Sequence, residues 1–165
     1  MRILGIDPGS AVTGYGVIER RKDGVRCVDC GTIPAGRGAL PDRLLAVHDG
    51  LMELAAAFHP GAVALENAFL GKNVRSLAIL SQTRGALVVA ARRASLPVYE
   101  YTPREVKLAV VGTGNATKAQ IAYMVSVLLC VSADGLPRDA TDSLAVALCH
   151  LQRNGVRAAP AGTNA

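Results

Sequence analysis

No apolar run in this 165-residue chain reaches the ~18 residues that a membrane helix needs. The first residues also lack the basic-then-apolar layout of a secretory signal, so the expected location is the cytoplasm. Internal repeats are absent, as is any linker that would divide the chain. A single folding unit over residues 1–153 is therefore expected, with a Gly-, Ala- and Pro-rich tail at 154–165 that should be disordered. Cysteine is scarce: there are four. Cys27 and Cys30 lie in a strand-like run, where residues three apart point to opposite faces, which argues against a shared ligand site. Cys130 and Cys149 sit in apolar helical patterns, and all four read as small buried hydrophobes in a reducing compartment. His48, His59 and His150 match no catalytic pattern and read as satisfied or surface residues. Acids are outnumbered, 13 against 18 basic residues, and the resulting +5 permits a polyanionic partner without requiring one.

Half of the residues are hydrophobic, enough for a full core without disulfides or structural metal. Residues 2–7, 12–20 and 24–34 are short strand-like runs separated by turn residues, which predicts a three-strand meander. A helical pattern follows at 40–58, with Leu44, Val47, Leu51 and Leu54 on one stripe. GAVALE at 61–66 is again strand-like, and the preceding helix makes a right-handed crossover to a strand parallel to the first the expected connection. Residues 73–94 predict a long helix, polar early and apolar nearly all round after Gly85. LPVYEY at 96–101 predicts a fifth strand. TPRE at 102–105 and TKAQ at 117–120 are capping boxes that open helices, and a last helix is expected from Asp139 to about Arg153.

Asp7 and Glu66 each close a strand, so in a parallel arrangement both carboxylates emerge at the carboxyl edge of the sheet, where open α/β sheets place their sites. Asp139 and Asp142, three apart on the last helix, share a face. Each has a plainer reading as well: Asp-Pro-Gly is an ordinary turn, Asp139 a helix cap, Glu66 an arginine partner and Asp142 a solvated helix residue. Together the four point to a site. Gathering four negative charges at a partly buried edge is unfavourable by several kcal/mol unless cations join them. Oxygen-only ligands suit a hard cation, Mg²⁺ in the first place with Mn²⁺ as a substitute. Two such ions roughly 4 Å apart would support in-line hydrolysis of a phosphodiester.

On these residues the sequence resembles the RuvC family of Holliday-junction endonucleases. The segments that carry the likeness are LGIDPGS, TGYGVIE, VALENAF, QTRGALVVAA, REVKLAVVG, TKAQ and DATDSLAVAL, in that order. The resemblance implies a ribonuclease H-like α/β/α sandwich, with a five-stranded mixed sheet of three antiparallel and two parallel strands flanked by helices. It implies that Asp7, Glu66, Asp139 and Asp142 are the Mg²⁺-binding catalytic acids, with two ions per site. It also matches Phe69 to an aromatic that stacks on a base at the opened junction centre, and Lys107 and Lys118 to lysines that contact backbone phosphates. The implied substrate is a four-way DNA junction, nicked symmetrically by a homodimer to leave 5′-phosphate and 3′-hydroxyl ends; the RuvA–RuvB branch-migration complex is the implied partner. The dimer contact would fall on the long helix around Gly85.

Setting the four acids aside leaves nine acids against 18 basic residues, a surface able to hold several phosphates. Arg75, Arg84, Arg92, Arg93, Arg104 and Arg138 are candidate backbone contacts. Gly14 and Gly16 either let DNA approach closely or ease a bend. A nuclease for RNA–DNA hybrids shares the same metal chemistry, and a non-catalytic junction-binding protein is the alternative from another class. An actin-like kinase is disfavoured, because it would need two such lobes.

Overall fold

The five short runs that alternate β-branched and small apolar residues pair into one sheet. In the computed structural model, which describes residues 1–67, 74–131 and 137–157, the strands are β1 (Arg2–Asp7), β2 (Val12–Arg21), β3 (Gly24–Pro34), β4 (Ala62–Glu66) and β5 (Val98–Tyr101). Their order across the sheet is β3-β2-β1-β4-β5. The first three form the expected antiparallel meander, and β4 and β5 join parallel to β1.

Helices α1 (Leu40–Phe58) and α2 (Val74–Arg93) cover one face of the sheet; α3 (Pro103–Val111), α4 (Lys118–Leu129) and α5 (Arg138–Arg157) cover the other. β1 feeds both cores: Ile3 packs with α5 residues such as Leu144, while Leu4 and Ile6 pack with Val47, Leu51 and Leu87. The layers are those of an α/β/α sandwich with a mixed five-stranded sheet. Both capping boxes form, Thr102 with Glu105 and Thr117 with Gln120. They fix where α3 and α4 begin, each contributing about 1 kcal/mol. Among the described residues no helix is long and apolar enough to cross a membrane.

A seat of glycines sets how α5 lies. Side chains on β1 and β2 alternate between faces, and on the α5 face Gly5, Gly14 and Gly16 carry none. A Cβ on Gly5 would stand 2.1 Å from the Ser143 carbonyl oxygen, one on Gly14 2.2 Å from that of Asp139, and one on Gly16 2.7 Å from the Leu144 side chain. Gly14 and Gly16 thus serve the approach of a helix, not of DNA and not a bend. The resulting closeness carries the start of α5, with Asp139 and Asp142 on successive turns, down to the end of β1.

Cys130, expected to be buried, is instead exposed where it ends α4, and two further expectations are corrected. Cys27 and Cys30 do not face opposite ways: both pack against the α5 side. The β2–β3 register shifts between Val17 and Ile18, so that Val28 and Asp29 together oppose Val17. This bulge adds one residue and reverses the parity beyond it. Burial pushes the Cys27 thiol up to about 12 and raises that of Cys30, so both remain neutral thiols. The other correction concerns the end of the chain. α5 continues to Arg157, past the expected stop at Arg153, because Asn154 still faces the His150 ring one turn back, at 3.0 Å. Of the tail expected to be disordered, 158–165 lie outside the described residues.

Candidate active site

Asp7 and Glu66 are the last residues of adjacent parallel strands. Ile6 pairs with Leu65, so the next residue of each strand falls side by side at the carboxyl edge, at the ~4.8 Å spacing of neighbouring strands. By alternation both point to the face on which α5 sits. A rigid edge of this kind holds two carboxylates more firmly than a loop does.

That closeness has an electrostatic consequence. Burial, and then the neighbouring charge of Glu66 with which it shares a hydrogen bond, push the Asp7 carboxyl from 3.8 up to about 8; Asp142 and Asp139 add smaller contributions. Glu66 is raised as well, first by burial and then by Asp142, while its bond to Asp7 and the fields of Lys118 and Lys107 oppose the rise. Burial and mutual repulsion thus favour a proton shared by the two carboxyls, with Asp7 as the donor to Glu66.

Asp7, Glu66 and Asp142 line one cavity of about 430 Å³, together with Lys107 and Lys118. Val106, Ile121 and Ala145 supply its apolar wall. Asp142 accepts a 2.8 Å hydrogen bond from Lys118 Nζ, an ion pair that joins the first turn of α4 to α5 and raises the lysine's pKa. Asp139 is exposed one turn earlier on α5. It does not line the cavity but is close enough to act on Asp7. A second cavity of about 330 Å³ adjoins the first and shares Lys118 and Asp142 with it; Arg138 and Thr141 complete its polar lining. The sequence placed Arg138 only among six candidate phosphate contacts.

The chemistry of this set fits a hard divalent cation. The donors are carboxylate oxygens, and those of Asp7, Glu66 and Asp142 are partly buried and face two lysines. The protonation of Asp7 and the Lys118–Asp142 pair are two ways of reducing the same charge excess. Among the described residues no group of three or more acidic, His or Cys side chains is gathered closely enough to hold one ion as it stands, and Asp142 is engaged by the lysine.

The other candidates divide. Phe69 lies outside the described residues. Arg84 pairs with Glu100 on β5 and Arg92 donates to the Leu96 carbonyl at 3.3 Å, so both have partners within the fold. His150 is buried and bonds the Tyr101 hydroxyl at 2.8 Å, His59 ends α1 in a left-handed conformation, and His48 contacts Asp49. All three histidines are structural or at the surface, as their lack of pattern suggested.

Comparison with known proteins agrees with the fold. A family model described as crossover junction endodeoxyribonuclease RuvC matches residues 3–150. The crossover junction endodeoxyribonuclease RuvC of Chlorobaculum parvum is 49% identical over 154 residues, covering 93% of this chain and 82% of that protein. Its counterpart in Chloroherpeton thalassium is 45% identical over 150 residues, 90% of this chain and 81% of the relative. Among solved structures, Thermus thermophilus RuvC in complex with a Holliday junction substrate superposes with a TM-score of 0.88 at 31% identity, over 95% of this chain and 96% of that one. A yeast mitochondrial Holliday junction resolvase, at 15% identity and a TM-score of 0.67 over 93% of this chain and 80% of its own, shares the fold.

Proposed function

Because the chain belongs to the RuvC family of crossover junction endodeoxyribonucleases, we propose that it resolves four-way DNA junctions, with Asp7, Glu66, Asp142 and Asp139 as its catalytic and metal-binding acids. The observation that carries this reading is the meeting of Asp7 and Glu66, from two strand ends, with Asp142, from a distant helix, in one cavity. Two Mg²⁺ ions, replaceable by Mn²⁺, are the cations this donor set suits. When bound they would supply an activated water and stabilise the leaving oxygen of an in-line displacement.

The chain's own residues do the rest. Asp7 and Glu66 act as fully ionised ligands, so the proton they share must leave before the site is competent. Lys107, half-buried on α3, and Lys118 present positive charge at the cavity where a scissile phosphate would lie. Phe69 fits the junction-opening aromatic by its place in the family's pattern. The products would be nicked duplexes with 5′-phosphate and 3′-hydroxyl ends.

A homodimer is part of the proposal, formed through α2. Val89 is 60% exposed there, and a Cβ added at Gly85 would meet nothing within 4 Å. Among the described residues no contact requires that glycine, which leaves room for a second backbone. Two such sites related by a two-fold axis match a junction that is itself nearly two-fold. Action in the cytoplasm beside the RuvA–RuvB complex follows from the family resemblance.

The deciding experiment incubates the protein and its Asp7→Asn variant with Mg²⁺ and end-labelled junction, linear duplex or RNA–DNA hybrid. Paired nicks in the junction alone, absent with the variant, are expected. Equal cutting of plain duplex, or cutting of the hybrid only, would refute junction resolution.

A further inference from the structure

Lys118 occupies an unusual position between two cavities. Its backbone is fixed as the first residue of α4 by the Thr117–Gln120 capping box, yet its side chain is 80% exposed and free to turn on four carbons. The ammonium sits 2.8 Å from Asp142 Oδ2, within the field of Asp7 and Glu66. The same side chain lines the neighbouring cavity, whose other charged contributors are Arg138 and the shared Asp142, with the Thr141 hydroxyl beside them. One cavity is rich in carboxylates; the other has the Arg138 cation to receive a phosphate, beside a Thr141 hydroxyl that donates to the Pro137 carbonyl at 3.3 Å.

We propose that Lys118 is a resident counter-ion that holds Asp142 in the free enzyme and exchanges partners on substrate binding. A DNA phosphate seated beside Arg138 and Thr141 draws the ammonium away, and Asp142 is then released to a divalent cation. The inference rests on the reading of Asp142 as a metal ligand and adds a coupling to it: DNA tightens cation binding, and by thermodynamic reciprocity the cation tightens DNA binding by the same factor. An exposed pair is weak enough to be broken by a single phosphate, and its competition with the cation should amount to roughly threefold to tenfold in affinity. The device would keep the site from loading fully until a backbone is in place.

The test is Mn²⁺ binding followed by electron paramagnetic resonance, on wild type, Lys118→Met and Lys118→Arg. It is run without DNA and then with saturating four-way junction carrying phosphorothioate linkages to hold back cleavage. Without DNA, Lys118→Met should bind Mn²⁺ roughly three to ten times more tightly than wild type, whereas Lys118→Arg, which keeps the charge, should not. Junction should tighten Mn²⁺ binding to wild type by a similar factor and leave Lys118→Met nearly unchanged. Lys118→Gln replaces the methionine variant if circular dichroism shows the latter misfolded. Equal DNA-free affinities of wild type and Lys118→Met, or a junction effect that survives the substitution, would overturn the exchange alone. Failure of every protein to bind Mn²⁺, with DNA or without, would overturn the metal-site reading along with it.

Discussion

Asparagine in place of Asp7 should abolish cleavage and, in metal-free buffer, make the protein more stable at pH 8 than wild type. The sign follows from linkage. The carboxyl titrates near 3.8 in an unfolded chain and at about 8 in the folded one, so between those values the folded state binds more protons. Stability is therefore full below pH 4, falls as pH rises, and reaches its floor above pH 8. Taken at face value the shift is worth about 5 kcal/mol at pH 8. Water at the open edge and sharing of the proton with Glu66 reduce this to roughly 2–4 kcal/mol. For a chain of this size that is on the order of 5–15 °C in melting temperature. Asparagine does not titrate, so the Tm of the variant relative to wild type should rise by that amount between pH 4 and pH 8, whatever constant offset the substitution adds through packing. Differential scanning calorimetry with a chelator measures it, and Mg²⁺ should raise Tm in wild type above pH 7 far more than in Asp7→Asn. Parallel pH profiles for the two proteins would refute the account of the charge cluster.

Gly14→Ala should cost about 2–4 kcal/mol by urea unfolding and remove most nuclease activity, since its Cβ can be accommodated only by lifting α5 from Asp139 onward. Tyr101→Phe leaves the buried His150 ring without its hydroxyl partner; a loss of about 1–2 kcal/mol with normal cleavage is expected. Gly85→Glu places a charge in the proposed dimer contact: sedimentation should show a monomer with an unchanged circular dichroism spectrum, and junctions should lose their paired nicks.

Much of this was legible before any coordinates. Asp7 and Glu66 announced themselves because a charge at the end of an apolar strand is unusual, and the strand–helix–strand spacing implied that the two strands run side by side. The capping boxes located α3 and α4 because their chemistry is local. What stayed hidden depends on distance across the fold. Gly5, Gly14 and Gly16 look like flexible strand positions until a helix is laid on them. The bulge at Val28 cannot be read from alternation, yet one extra residue brought Cys27 and Cys30 to the same side. Lys118 could be placed on its helix by the TKAQ motif, but its partner lies 24 positions away, and nothing local points to it. The run through Asn154 to Arg157 went past the expected end at Arg153 because the contact of Asn154 with the ring one turn back continued the helix. Phe69, matched to the family's stacking aromatic by its place in the sequence, lies outside the described residues.

On the proposed reading carboxylates from β1, β4 and α5 hold divalent ions together, and a crystal grown with Mn²⁺ and a bound junction tests this most directly through anomalous scattering. Peaks are predicted in contact with Asp7 and Glu66, with Asp142 released from Lys118 and at least one of the α5 aspartates within ligand distance. Manganese bound elsewhere, with those four side chains free of it while the junction lies in the cleft, would contradict it.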